Sequence, residues 1–473
     1  MQRRIIRMCW ILFTGIVTTA VFSVSAVYGE VNVGSKGEEI KQDPSLAAPA
    51  DAIEAWRDMK LGLFICWGPC SIKGVNIGWS RGKHIPAAEY DNLYKQFNPV
   101  KFDADEWVQI TKDMGANYMI FLTKHHDGFC LWDTKETKYN IMKTPYAKDV
   151  TGQLAKACKK AGVGFMPYYS ICDWYHPDFP RTGPYGKHGR KEHNLERYTE
   201  FVEAQCGELV TRYGPLLGIW FDFSQDQFDV ERNNRVMRHL RGLQKNLIFN
   251  SRCNIYGDFD TPERHIGGFS RKRPWETCIP LGRQWSWKPR EKLKSWQNSV
   301  QMVVFCAIGD GNLALNTGPM PDGRIDPRQV EVFRNMGKWL KKYGESIYKT
   351  RGGPFVGPGG DAKSPYAGRK GAIGTPGGQW WGGSTHKGRD VYLHIIKWPT
   401  EKLVLDDIGL KIVSHKVLTG GTAEIKQADG KIEISVPADQ RDPIDTIVKL
   451  TFNKSVEVVE PIITPSDPGK EKR

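Results

Sequence analysis

The sequence predicts an α/β protein, a (β/α)8-like TIM barrel followed by a C-terminal antiparallel β-sandwich domain. Three observations lead there. Short apolar runs alternate with helix-period stretches from Trp56 to Arg351, and each run gives way to polar or aromatic residues. Past Arg351 the chain becomes glycine-rich, then alternates apolar and polar residues with no helical period. The expected divisions are a signal peptide over 1–29, a flexible leader over 30–50, the barrel over 51–351, the β-sandwich over 352–460 and a disordered tail over 461–473.

Taken in order, Arg3, Arg4 and Arg7 precede an apolar run from Cys9 to Val24, with small residues near Ala26 and Gly29. That is the layout of a cleaved secretory signal. The apolar run only just reaches the roughly 20 residues that a bilayer span requires. The expectation is a secreted or periplasmic protein with no stable membrane association after cleavage. Leu61 to Trp67 reads as the first strand. Asp103-Ala104-Asp105-Glu106 ahead of Trp107, Ile110 and Met114 is a capped helix start, and Gly115 ends that helix. A strand over Tyr118 to Leu122 runs into Thr123-Lys124-His125-His126-Asp127-Gly128. A helix over Asp149 to Ala161, stopped by Gly162, leads to a strand over Val163 to Tyr169, and Asn194 to Tyr213 is amphipathic.

Leu216 to Phe223 is apolar on both alternations, as in a parallel strand covered on both faces, and it carries Asp222 at its end. From its local sequence Asp222 reads either as a nucleophile or as an ion-paired or capping carboxylate. A helix over Asp229 to Gln244, the run Leu247 to Asn250, the apolar run Val303 to Ile308 and a helix over Asp326 to Tyr343 complete the alternation. Val391 to Ile396, Lys431 to Val436 and Ile447 to Leu450 read as sandwich strands.

Composition narrows the chemistry. Hydrophobic content of 40% and charged content of 25% are those of a globular protein. Loss of the signal removes three arginines and no acids, which lowers the formal charge from +14 to +11. A basic surface on an exported protein suits a sulfated or carboxylated glycan better than nucleic acid, and a solvated surface without a specific partner is the favoured reading over either. Oligomeric state is not encoded legibly. Of ten cysteines nine would remain after cleavage, an odd number without C-x-x-C or zinc-finger spacing, so mainly free thiols are expected, with a Cys66–Cys70 pair the one alternative. No G-x-S-x-G, P-loop or dinucleotide fingerprint is present, so no cofactor is expected. No metal is expected either, because His125 and His126 are neighbours on a strand and would point to opposite faces.

The strand ends supply Cys66 and Trp67, His125 and His126, Tyr169, Trp220 and Asp222, Asn250 and Arg252. In a barrel these converge on one mouth, and aromatic faces beside directional hydrogen-bonding groups suit a sugar.

Several stretches carry a family resemblance: K-L-G-L-F-I-C-W-G at 60–68, F-D-A-D-E-W at 102–107, T-K-H-H-D-G-F-C-L-W-D at 123–133, P-Y-Y-S at 167–170, I-W-F-D at 219–222, N-S-R at 250–252, W-E-T at 275–277, G-N-L-A-L-N-T-G-P at 311–319 and G-E-S-I-Y at 344–348. The chain resembles the glycoside hydrolase family 29 α-L-fucosidases from Trp56 to Arg351. The resemblance implies a retaining exo-glycosidase with Asp222 as nucleophile, and sugar-binding roles for His125, His126, Tyr169, Trp220 and Arg252, with Cys66, Trp67 and Trp79 also in the substrate-binding set. Glu263, in Thr261-Pro262-Glu263, is the first choice for the acid/base and Glu276 the second. Two positions depart from the family: Cys66 stands where a histidine is common, and Gly78-Trp79 where a Glu-Trp pair is common. These departures leave open an exo-α-L-galactosidase acting on algal polysaccharide, sulfated or not, and a catalytically silent carbohydrate-binding protein is the alternative of another class.

Overall fold

Seven strands, β1 (Leu61–Ile65), β2 (Tyr118–Lys124), β3 (Gly164–Ser170), β4 (Gly218–Asp222), β5 (Ile248–Phe249), β6 (Glu276–Pro280) and β7 (Asn312–Thr317), form one sheet in the order β5-β4-β3-β2-β1-β7-β6. Every neighbouring pair is parallel. The computed structural model describes residues 43–183, 189–223, 228–253, 257–357 and 381–464. The expected signal peptide and residues 465–473 of the expected tail lie outside them.

The sheet closes on itself through one more segment. Phe259 bridges Asn250 beyond β5, while Asp260 and Glu263 bridge Trp275 and Cys278 along β6, all in parallel sense. Residues 258–264 thus act as an eighth stave, joined by single bridges rather than a continuous ladder.

Helices cover the outside: α1 (Ala50–Met59), α2 (Ala87–Tyr90), α3 (Ala104–Asp113), α4 (Val150–Ala161), α5 (Leu195–Tyr213), α6 (Val230–Leu243), α7 (Trp296–Ile308) and α8 (Pro327–Tyr343). Their starts follow from the sequence. Asp103, Asp149, Asn194, Asp229, Ser295 and Asp326 each accept a hydrogen bond from an amide of the first turn, which otherwise has no partner. Gly162 ends α4 in the left-handed conformation at φ 69°. The strands are buried on both faces, as their continuous apolar runs require.

Three expectations change. Val303 to Ile308 is the second half of α7, not a strand, and it is buried all round between β7, α8 and the C-terminal sheet. A short apolar run has no period by which to tell the two apart. Part of the flexible leader is ordered: Pro44–Leu46 forms a 3-10 turn and the Ala48 amide donates to Asp258 at 2.8 Å. Part of the expected tail is a strand, since β17 (Ile462–Ile463) pairs with β9 (Phe355–Val356).

Beyond β8 (Arg351–Gly352), the strands β10 (Gly382–Lys387), β11 (Asp390–Ile395), β13 (Ile412–Val417) and β16 (Thr446–Phe452) form an antiparallel sheet in the order β13-β16-β11-β10-β8. A smaller sheet, β12 (Lys402–Asp406), β15 (Lys431–Ser435) and β14 (Glu424–Ala428), packs on it through Val391, Leu393, Leu403, Ile432, Val448 and Leu450. Tyr392 and Ile447 point the other way and join the barrel's own core. His394 reaches across the same boundary, 2.6 Å from Asp445 and 3.3 Å from the Ser346 carbonyl. Eight of the described cysteines are free thiols, and all eight are buried. Among the described residues no helix is long and apolar enough to cross a membrane.

Candidate active site

Asp222 is the last residue of β4 and lies beside Ser170 of β3. Alternation along β4 turns Trp220 and Asp222 into the barrel. The Trp220 ring lies 5.5 Å from Tyr168, nearly parallel at 20°, and 5.4 Å from Phe64. Asn250 fixes the strand from the neighbouring stave, accepting from the Phe221 amide and donating to its carbonyl, both at 2.8 Å.

Both carboxylate oxygens of Asp222 are held. The Tyr168 hydroxyl donates to Oδ2 at 2.6 Å, and Arg252 Nη1 donates to Oδ1 at 3.1 Å. That same nitrogen donates to Glu263 Oε2, also at 3.1 Å. Arg252 is aimed by Thr261, whose hydroxyl accepts from Nε at 2.7 Å and whose carbonyl accepts from Nη2 at 3.1 Å. Its guanidinium lies 5.0 Å from the Trp220 ring centroid, a cation–π contact. Burial alone would lower its pKa, but Cys278, Asp222 and Glu263 around it raise it, so the charge is secure.

Glu263 comes from the eighth stave. The Pro262 carbonyl accepts from the Cys278 amide and the Arg264 amide donates to the Cys278 carbonyl, each at 3.0 Å. Its side chain is 35% exposed against 15% for Asp222. Asp222 therefore lies deeper, and Glu263 closer to solvent.

His126 Nε2 approaches Asp222 Oδ2 at 3.9 Å, and its Nδ1 lies 2.6 Å from the Ser170 hydroxyl. That hydroxyl donates to the Cys172 carbonyl at 2.7 Å, so it accepts from His126 Nδ1–H. Nε2 is then the free acceptor in the neutral ring. Burial pushes the pKa of His125 and of His126 well down, with Lys124 adding to it, so both rings are neutral. Trp79 makes the opposite wall, edge-on to His126 at 5.4 Å, to Trp174 at 5.7 Å and to Phe223 at 5.8 Å.

The departures from the family pattern are also placed. Gly78 has φ 65°, and a Cβ there would lie 2.5 Å from His125 Nδ1. The imidazole fills the space that a side chain at 78 would take, so this glycine opens no room for a larger sugar. The Gly78 amide donates to the Tyr90 hydroxyl at 2.8 Å, which in turn donates to Asp127 at 2.7 Å. Burial, with Cys278 and Asp222 nearby, pushes the Cys66 thiol well up, leaving it neutral.

Three other expected residues lie elsewhere. Tyr169 faces the helices, its hydroxyl donating to Gln205 at 2.8 Å, and Tyr168 is the tyrosine brought to Asp222. Trp67 points outward into Phe97, Phe102 and Trp107 and donates to the Met320 carbonyl at 3.0 Å. Glu276 starts β6 at the opposite end of the barrel from Asp222, fully buried, accepting from Tyr118 and from Trp220. Sequence reasoning missed Tyr168, Ser170, Trp174 and Thr261. Tyr168 shares the inward parity of Trp220 across the β3–β4 pair, a register that the letters alone do not show.

The family profile described as alpha-L-fucosidase matches residues 34–345. The chain belongs to the alpha-L-fucosidase family. It is 26% identical over 382 residues to an alpha-L-fucosidase of Branchiostoma floridae, covering 73% of this chain and 80% of that one. It is 25% identical over 410 residues to the human plasma alpha-L-fucosidase, covering 80% and 82%. Among solved structures, alpha-L-fucosidase isoenzyme 1 from Paenibacillus thiaminolyticus superposes with a TM-score of 0.74 at 27% identity, over 85% of this chain and 99% of that one. A trapped covalent intermediate of a Bacteroides thetaiotaomicron alpha-L-fucosidase, in complex with 2-fluoro-fucosyl fluoride, superposes with a TM-score of 0.72 at 27% identity, over 89% and 98%. Membership in the alpha-L-fucosidase family makes the protein a glycoside hydrolase, and the matched structures share its barrel and C-terminal β architecture.

Proposed function

We propose that this protein is a retaining exo-α-L-fucosidase that works by double displacement, with Asp222 as nucleophile and Glu263 as acid/base. The observation that carries the reading is Arg252 Nη1, 3.1 Å from an oxygen of each carboxyl group. Two oxygens that share one such donor cannot be farther apart than twice that distance. A shared donor keeps the two carboxyl groups close, which favours the roughly 5–5.5 Å spacing of retaining pairs over the wider spacing of inverting ones. A covalent intermediate trapped in a related fucosidase supports the same route.

In the first step an Asp222 oxygen bonds to the anomeric carbon. The glycosidic bond breaks, its electron pair goes to the leaving oxygen, and that oxygen takes the Glu263 proton. In the second step Glu263 removes a proton from water, which attacks the anomeric carbon and releases Asp222. The greater exposure of Glu263 suits the leaving-group side, and the depth of Asp222 suits the floor of a pocket for one terminal sugar. Neutral His126 offers Nε2 as acceptor to a sugar hydroxyl. Glu276, on the far side of Trp220, has no such access. The glycan context, a fucosylated exported or environmental glycan with or without sulfate, is inferred from the signal-like residues 1–29 and the basic charge.

Asp222→Asn should lower kcat on an aryl α-L-fucoside by about 10⁴ or more, the scale at which losing a covalent nucleophile acts. NMR of the first-formed sugar should show the α anomer. A β first product, or an active Asp222→Asn variant, would falsify the assignment.

A further inference from the structure

Glu276 accepts from two walls of the barrel at once. The Trp220 indole N–H donates to Oε1 at 2.9 Å, and the Tyr118 hydroxyl makes a short bond to Oε2. Tyr118 belongs to β2 and Trp220 to β4, so one carboxyl group at the start of β6 ties three strands together inside the barrel. Burial pushes its pKa up to about 7 against the hydrogen bonds from Tyr118 and Trp220, with no cation acting on it among the described residues. A carboxyl group without a countercharge is an expensive way to fill a core. What it supplies, and an apolar side chain cannot, is two acceptors in fixed directions.

Trp220 is the plate on which the reacting groups are carried. Tyr168 stacks on it at 5.5 Å, and Arg252 lies over it at 5.0 Å from the centroid. Those two side chains are the hydrogen-bond donors to Asp222 Oδ2 and Oδ1, and Arg252 also reaches Glu263. The indole is thus the surface both donors share, with Thr261 holding Arg252 from its other side.

We propose that Glu276 is a positioning residue for the hydrolysis: by holding the Trp220 indole N–H it fixes the plate under Tyr168 and Arg252, and through them the attitude of Asp222 and Glu263. It touches no substrate and moves no proton in the reaction. The proposal rests on the assignment of Asp222 and Glu263 made above, and it gives the tryptophan's partner a function that burial alone does not.

The test compares Glu276→Gln, Glu276→Leu and Trp220→Phe in the full chain, on an activated aryl α-L-fucoside and on an alkyl α-L-fucoside with a poor leaving group. Glutamine can accept from Trp220 with its oxygen and donate to the Tyr118 oxygen with its nitrogen, so it rescues the geometry without a titrating proton. Glu276→Leu should lower kcat by about a hundredfold on both substrates with KM little moved, the scale expected for a small misplacement of reacting groups. Glu276→Gln should recover most of that loss on both substrates. Trp220→Phe keeps a ring but loses the N–H, so it should lower kcat in the same way, and its effect and that of Glu276→Leu should not add.

A Glu276→Gln variant that fails on the alkyl fucoside alone, with azide restoring turnover, would make Glu276 the acid/base and overturn the proposal. Equal and unchanged kcat in Glu276→Leu and Trp220→Phe would overturn it as well. If Glu276→Leu does not fold, Glu276→Gln and Trp220→Phe still decide. Asp222→Asn, assayed alongside, separates the two claims: activity there defeats the nucleophile assignment, whereas loss there with normal kcat in the Glu276 and Trp220 variants defeats only the positioning role.

Discussion

At Asp222 the side chains that matter most are those that hold its two oxygens. Tyr168→Phe removes one donor to a charged acceptor, worth about 1.5–3 kcal/mol, so kcat should fall by about ten- to a hundredfold, read from steady-state kinetics on an aryl fucoside. Arg252→Lys should cost at least as much, because an ammonium cannot reach Asp222, Glu263 and both oxygens of Thr261 from one planar group. Glu276 adds a pH effect on stability. Its pKa is raised from 4.5 to about 7 by burial, so the folded chain keeps a proton that the unfolded chain releases. The stabilisation is full below about 4.5 and is lost as pH rises through about 7. The buried histidines act with the opposite sign, since their lowered pKa costs stability as pH falls below 6.5. Urea melts of wild type against Glu276→Gln at pH 5 and pH 8 isolate the carboxyl: the variant should gain relative to wild type at pH 8, and an equal difference at both pH values would contradict it. Residue types at the strand ends were legible in the sequence, but their parity was harder to read. Tyr168 and Tyr169 are indistinguishable as letters, and only the pairing of β3 with β4 decides which one faces Asp222.

The elements show which local signals sufficed. Capping residues and terminal glycines located the helices because they answer a local need for amide partners. Asp149 caps α4 at Gly152 and also accepts from the Tyr213 hydroxyl at 2.6 Å, so Asp149→Ala should cost about 1–2 kcal/mol in a denaturant melt. Short strands gave less. β6 begins with a glutamate, β7 is bounded by asparagine and threonine, and the stave at 258–264 is held by isolated bridges, so none has the long apolar run that marks β2. α7 failed for the reverse reason, being apolar on every face because every face is covered. The loop that carries Trp79 offers a further test. Gly78→Ala forces a side chain into a left-handed backbone position and against His125 Nδ1. The expected result is a raised KM for the fucoside, and an unchanged KM would mean that His125 can move at no cost to binding.

Across the whole molecule, the C-terminal sheets and the barrel share buried surface rather than a linker. Tyr392 and Ile447 join the barrel core, Thr385 donates to the Ser346 carbonyl at 2.6 Å, and Arg271 donates to the Val459 carbonyl at 2.8 Å. Cutting the chain after Arg351 would expose α7 along an apolar face, so the truncated barrel should be insoluble or melt at lower temperature than the full chain; an equally stable truncation would show that the sheets do not support it. The eighth stave has the contrary character. Amides that close it, such as those of Asp260 and Arg264, should exchange with solvent faster than amides inside β2 and β3, which a deuterium-exchange time course can read. Glu263 rides on that stave while Asp222 is paired in register with Ser170 of β3, so the proposed nucleophile is masonry and the proposed proton donor hangs on a latch. Changes in the length or sequence of the connection between β5 and β6 would then move the proposed proton donor relative to different leaving groups while the other seven strands stay where they are.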